Sequence, residues 1–181
     1  MKTQNNYVIR SVGDLGAIDA SAWDGLLQLQ DNPTPFMRHA FLLALHASQS
    51  AVAATGWQPT FVLAHEGDTL VGACALYAKS HSYGEYVFDW SWAQAFERAG
   101  RAYYPKLLGA APFTPVPGTR LLTVNASVRQ ALIAGIEAVG IAVLIGIPLG
   151  MLAGYFGGWV DRVVMRVIEV ITSLPAVVVA I

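Results

Sequence analysis

From Ala138 to Val160 the chain runs 23 residues without a charged side chain. No other feature limits the fold so strongly. At ~1.5 Å rise per residue, a helix from Ala138 through Phe156 spans roughly 28 Å, close to the ~30 Å hydrocarbon thickness of a bilayer. Ala142, Gly146, Gly150 and Gly154 recur every fourth residue. They stack on one helical face, where small side chains let a second membrane helix approach. Pro148 is costly in a water-exposed helix and tolerated in a membrane. Gly157-Gly158 closes the helix, Tyr155 and Trp159 suit the interface, and Arg162 and Arg166 suit the cytoplasmic side. Being apolar all round, the segment lacks the polar face of a surface helix. The predicted tail has helices at about 127–156 and 160–173, with Pro175 opening a third. It protrudes or packs loosely, its glycines exposed or facing the second helix. A buried core helix of a soluble protein is the competing reading and fits the length less well.

The rest of the chain has a different composition. Apolar residues make up 55% of the whole and charged residues 13%, about half the charged share of an ordinary globular chain. The shortage is local: up to Gln130 charges and amides recur every few residues, whereas Ala131 to Val160 holds only Glu137. A net charge of −1 without any Lys/Arg run gives no electrostatic draw toward DNA or anionic lipid. Cys74 is the only cysteine, which excludes an internal disulfide and a cysteine-built metal site. In its apolar run it reads as a small core residue. The start, MKTQNNYVIRSVGDLG, has no apolar stretch long enough for a signal peptide, so the front part is expected in the cytoplasm.

Ser21-Ala22-Trp23-Asp24 reads as a capping-box-like start of a short helix. After the break at Asp31-Asn32-Pro33-Thr34-Pro35, apolar residues at spacings of three and four predict a helix from Phe36 to about Ser50. Thr60–His65 and Thr69–Lys79, joined by Glu66-Gly67-Asp68, predict a hairpin. Asp89 suits a cap for a helix from Trp90 to about Ala99, ended by Gly100. A proline-rich loop then leads into a strand. This order is α+β.

Chemistry, where there is any, concentrates between Lys79 and Lys106, which include His81, Tyr83, Glu85, Tyr86, Asp89, Trp90, Trp92, Tyr103 and Tyr104. Ionisable and aromatic groups at strand–helix junctions can line a pocket for a polar substrate. His81 or Glu85 suits a general base that deprotonates an amine. Tyr83, Asp89 and Tyr104 suit substrate positioning, and Lys106 suits a phosphate or carboxylate as a point charge. The competing reading makes the aromatics core, Asp89 only a cap, and Glu85 the ion-pair partner of a lysine.

Two resemblances overlay these readings. HSYGEYVFDWSWAQAF, RAYYPKLLGAAPFTPVPGTRLL and GWQP resemble a bacterial family related to Fem-type aminoacyl transferases. That family is grouped with GNAT-fold N-acyltransferases and described as peptidoglycan biosynthesis or recognition proteins. The resemblance covers residues 1–138 as a partial acyltransferase domain. It implies transfer of an acyl or aminoacyl group to an amine, with no metal and no tightly bound cofactor, acyl-CoA or aminoacyl-tRNA being the donor. The second acyltransferase-like half of the family and a Gly-rich pyrophosphate loop are both lacking, so the chain alone is expected to be inactive. LIGIPLGMLAGYFGGWVDRVVMRVIEVITSLP resembles permease subunits of dipeptide and oligopeptide ABC importers. It implies that residues 139–181 are a fragment of an inner-membrane permease, with permease or ATPase subunits as partners. The two meet near Glu137-Ala138 without a linker. That junction reads as a chimera, the front of a transferase gene joined to a piece of a permease gene.

Overall fold

The computed structural model describes residues 7–156. Cα packing divides the chain into two units, 1–141 and 142–181. The first is an antiparallel sheet with helices on both faces, which agrees with the α+β expectation. Its strands are β1 (Val8–Val12), β2 (Trp57–Glu66), β3 (Thr69–Lys79), β4 (Lys106–Leu108) and β5 (Leu121–Thr123). They run β1-β2-β3-β4, and β5 pairs with β3 beside β4 on the same edge. The helices are α1 (Ala20–Gln28), α2 (His39–Ala47), α3 (Trp90–Arg98) and α4 (Ala126–Phe156).

The β2–β3 hairpin anchors the sheet, paired from Trp57↔Lys79 to Glu66↔Thr69 with an irregularity at Ala64/His65. From Val71 onward β3 is buried on both faces, as a strand between two helical layers must be. Its small residues, Gly72, Ala73, Cys74, Ala75 and Ala78, let those layers come close. On one face α1 and α2 lay Trp23, Leu26, Leu27 and Leu42 against Phe61, Leu63, Ala75 and Tyr77. The Trp23 indole donates to the Met37 carbonyl at 2.8 Å and stands edge-on to Phe61. On the other face Val128 and Leu132 of α4 meet Val62, Ala64, Val71, Cys74 and Leu76. Gly135 makes that approach possible, because a Cβ there would lie 2.5 Å from Ile9 Cγ2.

Two local expectations change. Helix α1 is capped by Asp19, whose Oδ1 accepts from the Ala22 amide at 2.7 Å, not by Ser21, which lies inside the first turn. Asp24 instead accepts from the His39 amide at 2.9 Å and so fixes the start of α2. That helix begins three residues later than expected, because Pro35–Met37 forms a separate 3-10 turn.

The long helix α4 begins and ends as predicted, but its first half does not protrude. Val128, Leu132, Gly135, Ile136 and Val139 share one face, which the sheet covers. Among the described residues it is the one helix long and apolar enough to cross a membrane, over Ala126–Val143. Gly146, Gly150 and Gly154 lie on its later turns, and nothing stands within 4 Å of a Cβ added at Gly146. The Gly157-Gly158 break, the second helix at 160–173 and Pro175 fall outside the described residues.

Candidate active site

The sheet edge brings the two lysines of the aromatic segment together. Strand β3 ends at Lys79, β4 begins at Lys106, and these residues face each other in register. Between them the chain makes a loop from Ser80 to Asp89, then α3, then a return through Tyr103 and Tyr104. Loop and return therefore close over the lysines.

Lys106 is the hub. Its Nζ lies 2.6 Å from Glu85 Oε2, donates to Ser82 Oγ at 2.8 Å, and forms a still shorter ion pair with Asp89 Oδ2. Two hydrogen bonds and a further ion pair thus converge on one ammonium, and Lys106 holds two carboxylates. The Tyr103 hydroxyl donates to Asp89 Oδ2 at 2.8 Å, and Tyr104 OH and Ser82 Oγ are 2.7 Å apart. Both tyrosine rings flank the ammonium, with centroids at 5.3 and 5.8 Å.

Burial sharpens these interactions. The Glu85 side chain is 0% exposed, where an unpaired charge would be very costly. Burial alone would raise the Asp89 carboxyl. Hydrogen bonds from Lys106, Ser82 and Tyr103 override that and hold it at about 2. Burial would likewise lower Lys106, but Asp89 and Glu85 raise it, so it stays an ammonium. Tyr103 is pushed up, first by its bond to Asp89. Three acceptor atoms of the two carboxylates, Glu85 Oε1 and Oε2 and Asp89 Oδ1, are buried without a hydrogen-bond partner among the described residues, and of these Glu85 Oε2 has the Lys106 ion pair. A site with vacant carboxylate lone pairs beside hydroxyl groups can receive an amine and take its proton.

The structure thus brings Glu85, Asp89, Tyr104 and Lys106 into one network and sets His81 and Tyr83 beside it. Those two rings pack on each other at 5.1 Å, and His81 Nδ1 accepts from the Tyr83 amide at 3.2 Å. Asp89 stands before α3 yet makes no side-chain cap bond, because Lys106 and Tyr103 engage its carboxylate. Glu85 pairs with a lysine, as the competing reading held. The aromatics do not form core: Tyr83, Tyr86, Phe88, Trp90 and Trp92 are all exposed. Sequence reasoning named Lys79 and Tyr103 in this segment without giving either a role, and passed over Ser82. The available signal was a lysine closing an otherwise apolar strand. Beside Tyr103 and Tyr104, a cavity of about 280 Å³ is lined also by Glu97 and Arg101. Among the described residues no group of three or more His, Cys, Asp or Glu is placed to hold a metal.

Comparison with known proteins divides the chain in the same region as its packing. Residues 146–181 match the binding-protein-dependent transport system inner membrane component. A glutathione transport system permease protein of Pectobacterium atrosepticum is 45% identical over 53 residues, which are 29% of this chain and 18% of that protein. A probable D,D-dipeptide transport system permease protein of Escherichia coli is 40% identical over 50 residues, 28% of this chain and 17% of the relative. A dipeptide transport system permease protein of Bacillus subtilis is 45% identical over 53 residues, again 17% of its length. The chain therefore spans under a fifth of the curated relatives it matches. No solved structure matches it. The other match covers residues 14–143, which hold strands β2 to β5, the Lys106 network and the first turns of α4. Over this larger part the chain belongs to the FemAB-like family of peptidoglycan biosynthesis and recognition proteins.

Proposed function

We propose that the FemAB-like part is an acyltransferase-type domain, in the GNAT-like manner, that moves an aminoacyl or acyl group onto an amine of a peptidoglycan-related acceptor. One observation carries the reading: a fully buried carboxylate, Glu85, is held by Lys106 as an ion pair through Oε2, while its Oε1 has no hydrogen-bond partner among the described residues. The amine lone pair attacks the donor carbonyl carbon, and the bond from that carbon to the ester oxygen or thioester sulfur breaks. The amine proton passes to Glu85 Oε1 and from there to the departing oxygen or sulfur. Lys106 ion-pairs with both carboxylates, Asp89 accepts a hydrogen bond from the incoming neutral amine, and Tyr104 with Ser82 offers hydroxyls to the acceptor substrate. His81 is the second candidate base and lies outside this network. An aminoacyl ester donor is favoured over acyl-CoA. Helices α1 and α3 begin at Asp19 and Asp89, where carboxylates oppose a pyrophosphate at a helix start.

The test is transfer of labelled amino acid or acyl group from aminoacyl-tRNA or acyl-CoA to an amine-bearing peptidoglycan precursor. It uses this chain and a longer family member carrying the same residues. Glu85→Gln is expected to lower transfer by about 10²–10⁴-fold, and His81→Ala to leave it within a few-fold. Absence of transfer by both proteins, or full activity of Glu85→Gln, removes the reading.

A second reading rests on the match over 146–181 and on the apolar length of α4. Here the tail is a permease segment that holds the chain at the inner membrane, where an ATPase subunit is the partner. Such a chain sediments with membranes and needs detergent for release. Full recovery in the soluble fraction contradicts it. Helix α4 runs unbroken between the two matched regions. That fits a junction of two genes, and sequencing through codons 137–146 in the source genome tests it.

A further inference from the structure

Lys79 takes no part in the network around Lys106 as described so far, yet it is the more deeply buried of the two lysines, at 0% exposed. Its Nζ stands 3.5 Å above the centroid of the Trp57 ring and donates to the Tyr83 carbonyl at 3.2 Å. Trp57 in turn packs on Phe113, with centroids 5.2 Å apart. The Phe113 amide donates to the Gly84 carbonyl at 3.2 Å. Gly84 has a φ of +79°, and a Cβ there would lie 2.6 Å from the Phe113 ring. The turn from Ser82 to Glu85, closed by the Glu85 amide on the Ser82 carbonyl, is therefore gripped at two successive carbonyls. One grip is the Lys79 ammonium and the other is Phe113. Both rest on Trp57.

We propose that Lys79 is a positioning residue for Glu85: its ammonium, held on the Trp57 face, fixes the Ser82–Glu85 turn and so sets where the Glu85 carboxylate stands. The proposal rests on Glu85 being the base. It gives the site a second lysine with a different task, because Lys106 binds the carboxylate itself and Lys79 binds the backbone that carries it. The charged groups that bear on Lys79 are Glu85 from the loop, which favours its ammonium, and Lys106 from β4, which opposes it. Strand β2 contributes the uncharged Trp57 ring, whose negative face favours the cation. Burial outweighs these influences and brings Lys79 down to about 8. The grip is then strongest below neutral pH and weakens on the alkaline side, where the amine loses the charge that holds it to the Trp57 face.

The experiment follows the Trp57 indole and the Gly84 and Glu85 backbone amides by nitrogen-15 NMR from pH 6 to 10. Wild type is compared with Lys79→Met and Lys79→Arg, and Trp57→Phe identifies the indole signal. In the wild type the indole and both amides are expected to move together, with one midpoint near 8. Lys79→Met abolishes the transition and holds the amides at their alkaline positions. Lys79→Arg, which stays charged, holds them near their neutral positions to pH 10. Where transfer is measurable, it falls with the same midpoint in the wild type, and Lys79→Arg moves that fall to higher pH. An indole that titrates while the Glu85 amide stays still overturns the proposal, as does Lys79→Met with wild-type amide positions. The NMR readout does not need turnover. A titrating turn in a protein without transfer activity would sink the proposed reaction and keep the positioning role.

Discussion

Lys106→Met tests the central ion cluster most directly. The substitution keeps the length of the side chain and removes the one charge that both Glu85 and Asp89 contact. The flanking exposures are low, 17% for the Lys106 side chain, 0% for Glu85 and 11% for Asp89, so solvent cannot replace the lost partner. A carboxyl held at about 2 against an ordinary 3.8 by Lys106, Ser82 and Tyr103 together corresponds to roughly 2–3 kcal/mol of net stabilisation, of which Lys106 supplies a part. Stranding buried carboxylates typically costs about 3–5 kcal/mol, and the charge of Lys79 softens this for Glu85. A loss of about 3 kcal/mol at pH 7 is therefore expected, or roughly 10 °C in melting temperature for a body of this size. The sign of the pH dependence is a second check. In the wild type, Asp89 has a depressed value, so its contribution is present above about pH 4 and lost as pH falls toward 2. In Lys106→Met the stranded carboxyls bind protons more readily when folded, so the deficit shrinks as pH drops from 7 to 4. Urea denaturation at pH 7, 5 and 4 measures both effects, and the triple variant Glu85→Gln/Asp89→Asn/Lys106→Met is expected to recover most of the loss. A variant within 1 kcal/mol of wild type at pH 7, with an unchanged pH profile, would refute the cluster as a stabilising unit.

Three further outcomes follow from packing. Leu132→Ala removes a fully buried side chain between α4 and the sheet and should cost about 2–5 kcal/mol by urea denaturation; a neutral result would detach α4 from the core. Gly84→Ala meets both a left-handed backbone and the Phe113 ring, so about 1–3 kcal/mol should be lost, with the Glu85 amide visibly displaced in NMR spectra. Burial pushes the Cys74 thiol up to about 12. It should therefore stay unreactive toward a thiol reagent at pH 8 until urea unfolds the sheet, and rapid labelling of the native protein would contradict its place in β3 beneath α4.

Local signals made most of the fold legible. The β2–β3 hairpin announces itself by two β-rich runs and a Gly-containing turn, and α3 ends at Arg98, just before Gly100, which takes a positive φ. Where the reading missed, tertiary partners won. Asp89 satisfies every local criterion for a helix cap, but Lys106, seventeen residues away, holds its carboxylate. Ser21 reads as the cap from sequence, but Asp19 caps α1 through its bond to the Ala22 amide. Within the site, the acids and Tyr104 were legible as residue types that carry chemistry. Lys79 and Ser82 were not, since a lysine at a strand end ordinarily reaches water. Its burial depends on Trp57, Tyr83 and Phe113 arriving from three other parts of the chain.

The uncharged run has two physical explanations along its length. Val128, Leu132, Gly135, Ile136 and Val139 follow spacings of four, three, one and three, one stripe of a helix, and the second face of the sheet accounts for that stripe. A charge on this stripe would be buried against Val62 and Leu76, so its absence needs no membrane. Ala134, Ala138, Ile141 and Ala142, by contrast, are apolar and exposed, which packing on the sheet does not explain. The FemAB-like match ends at residue 143 and the transport-component match begins at residue 146. The reason for apolarity thus changes within α4 close to where the family changes. A scan for uncharged length alone merges the two parts, because a sheet-covered helix and a membrane helix both exclude charge. Face-resolved burial separates them: the first part is apolar along one stripe, and the run from Ala138 is apolar all round.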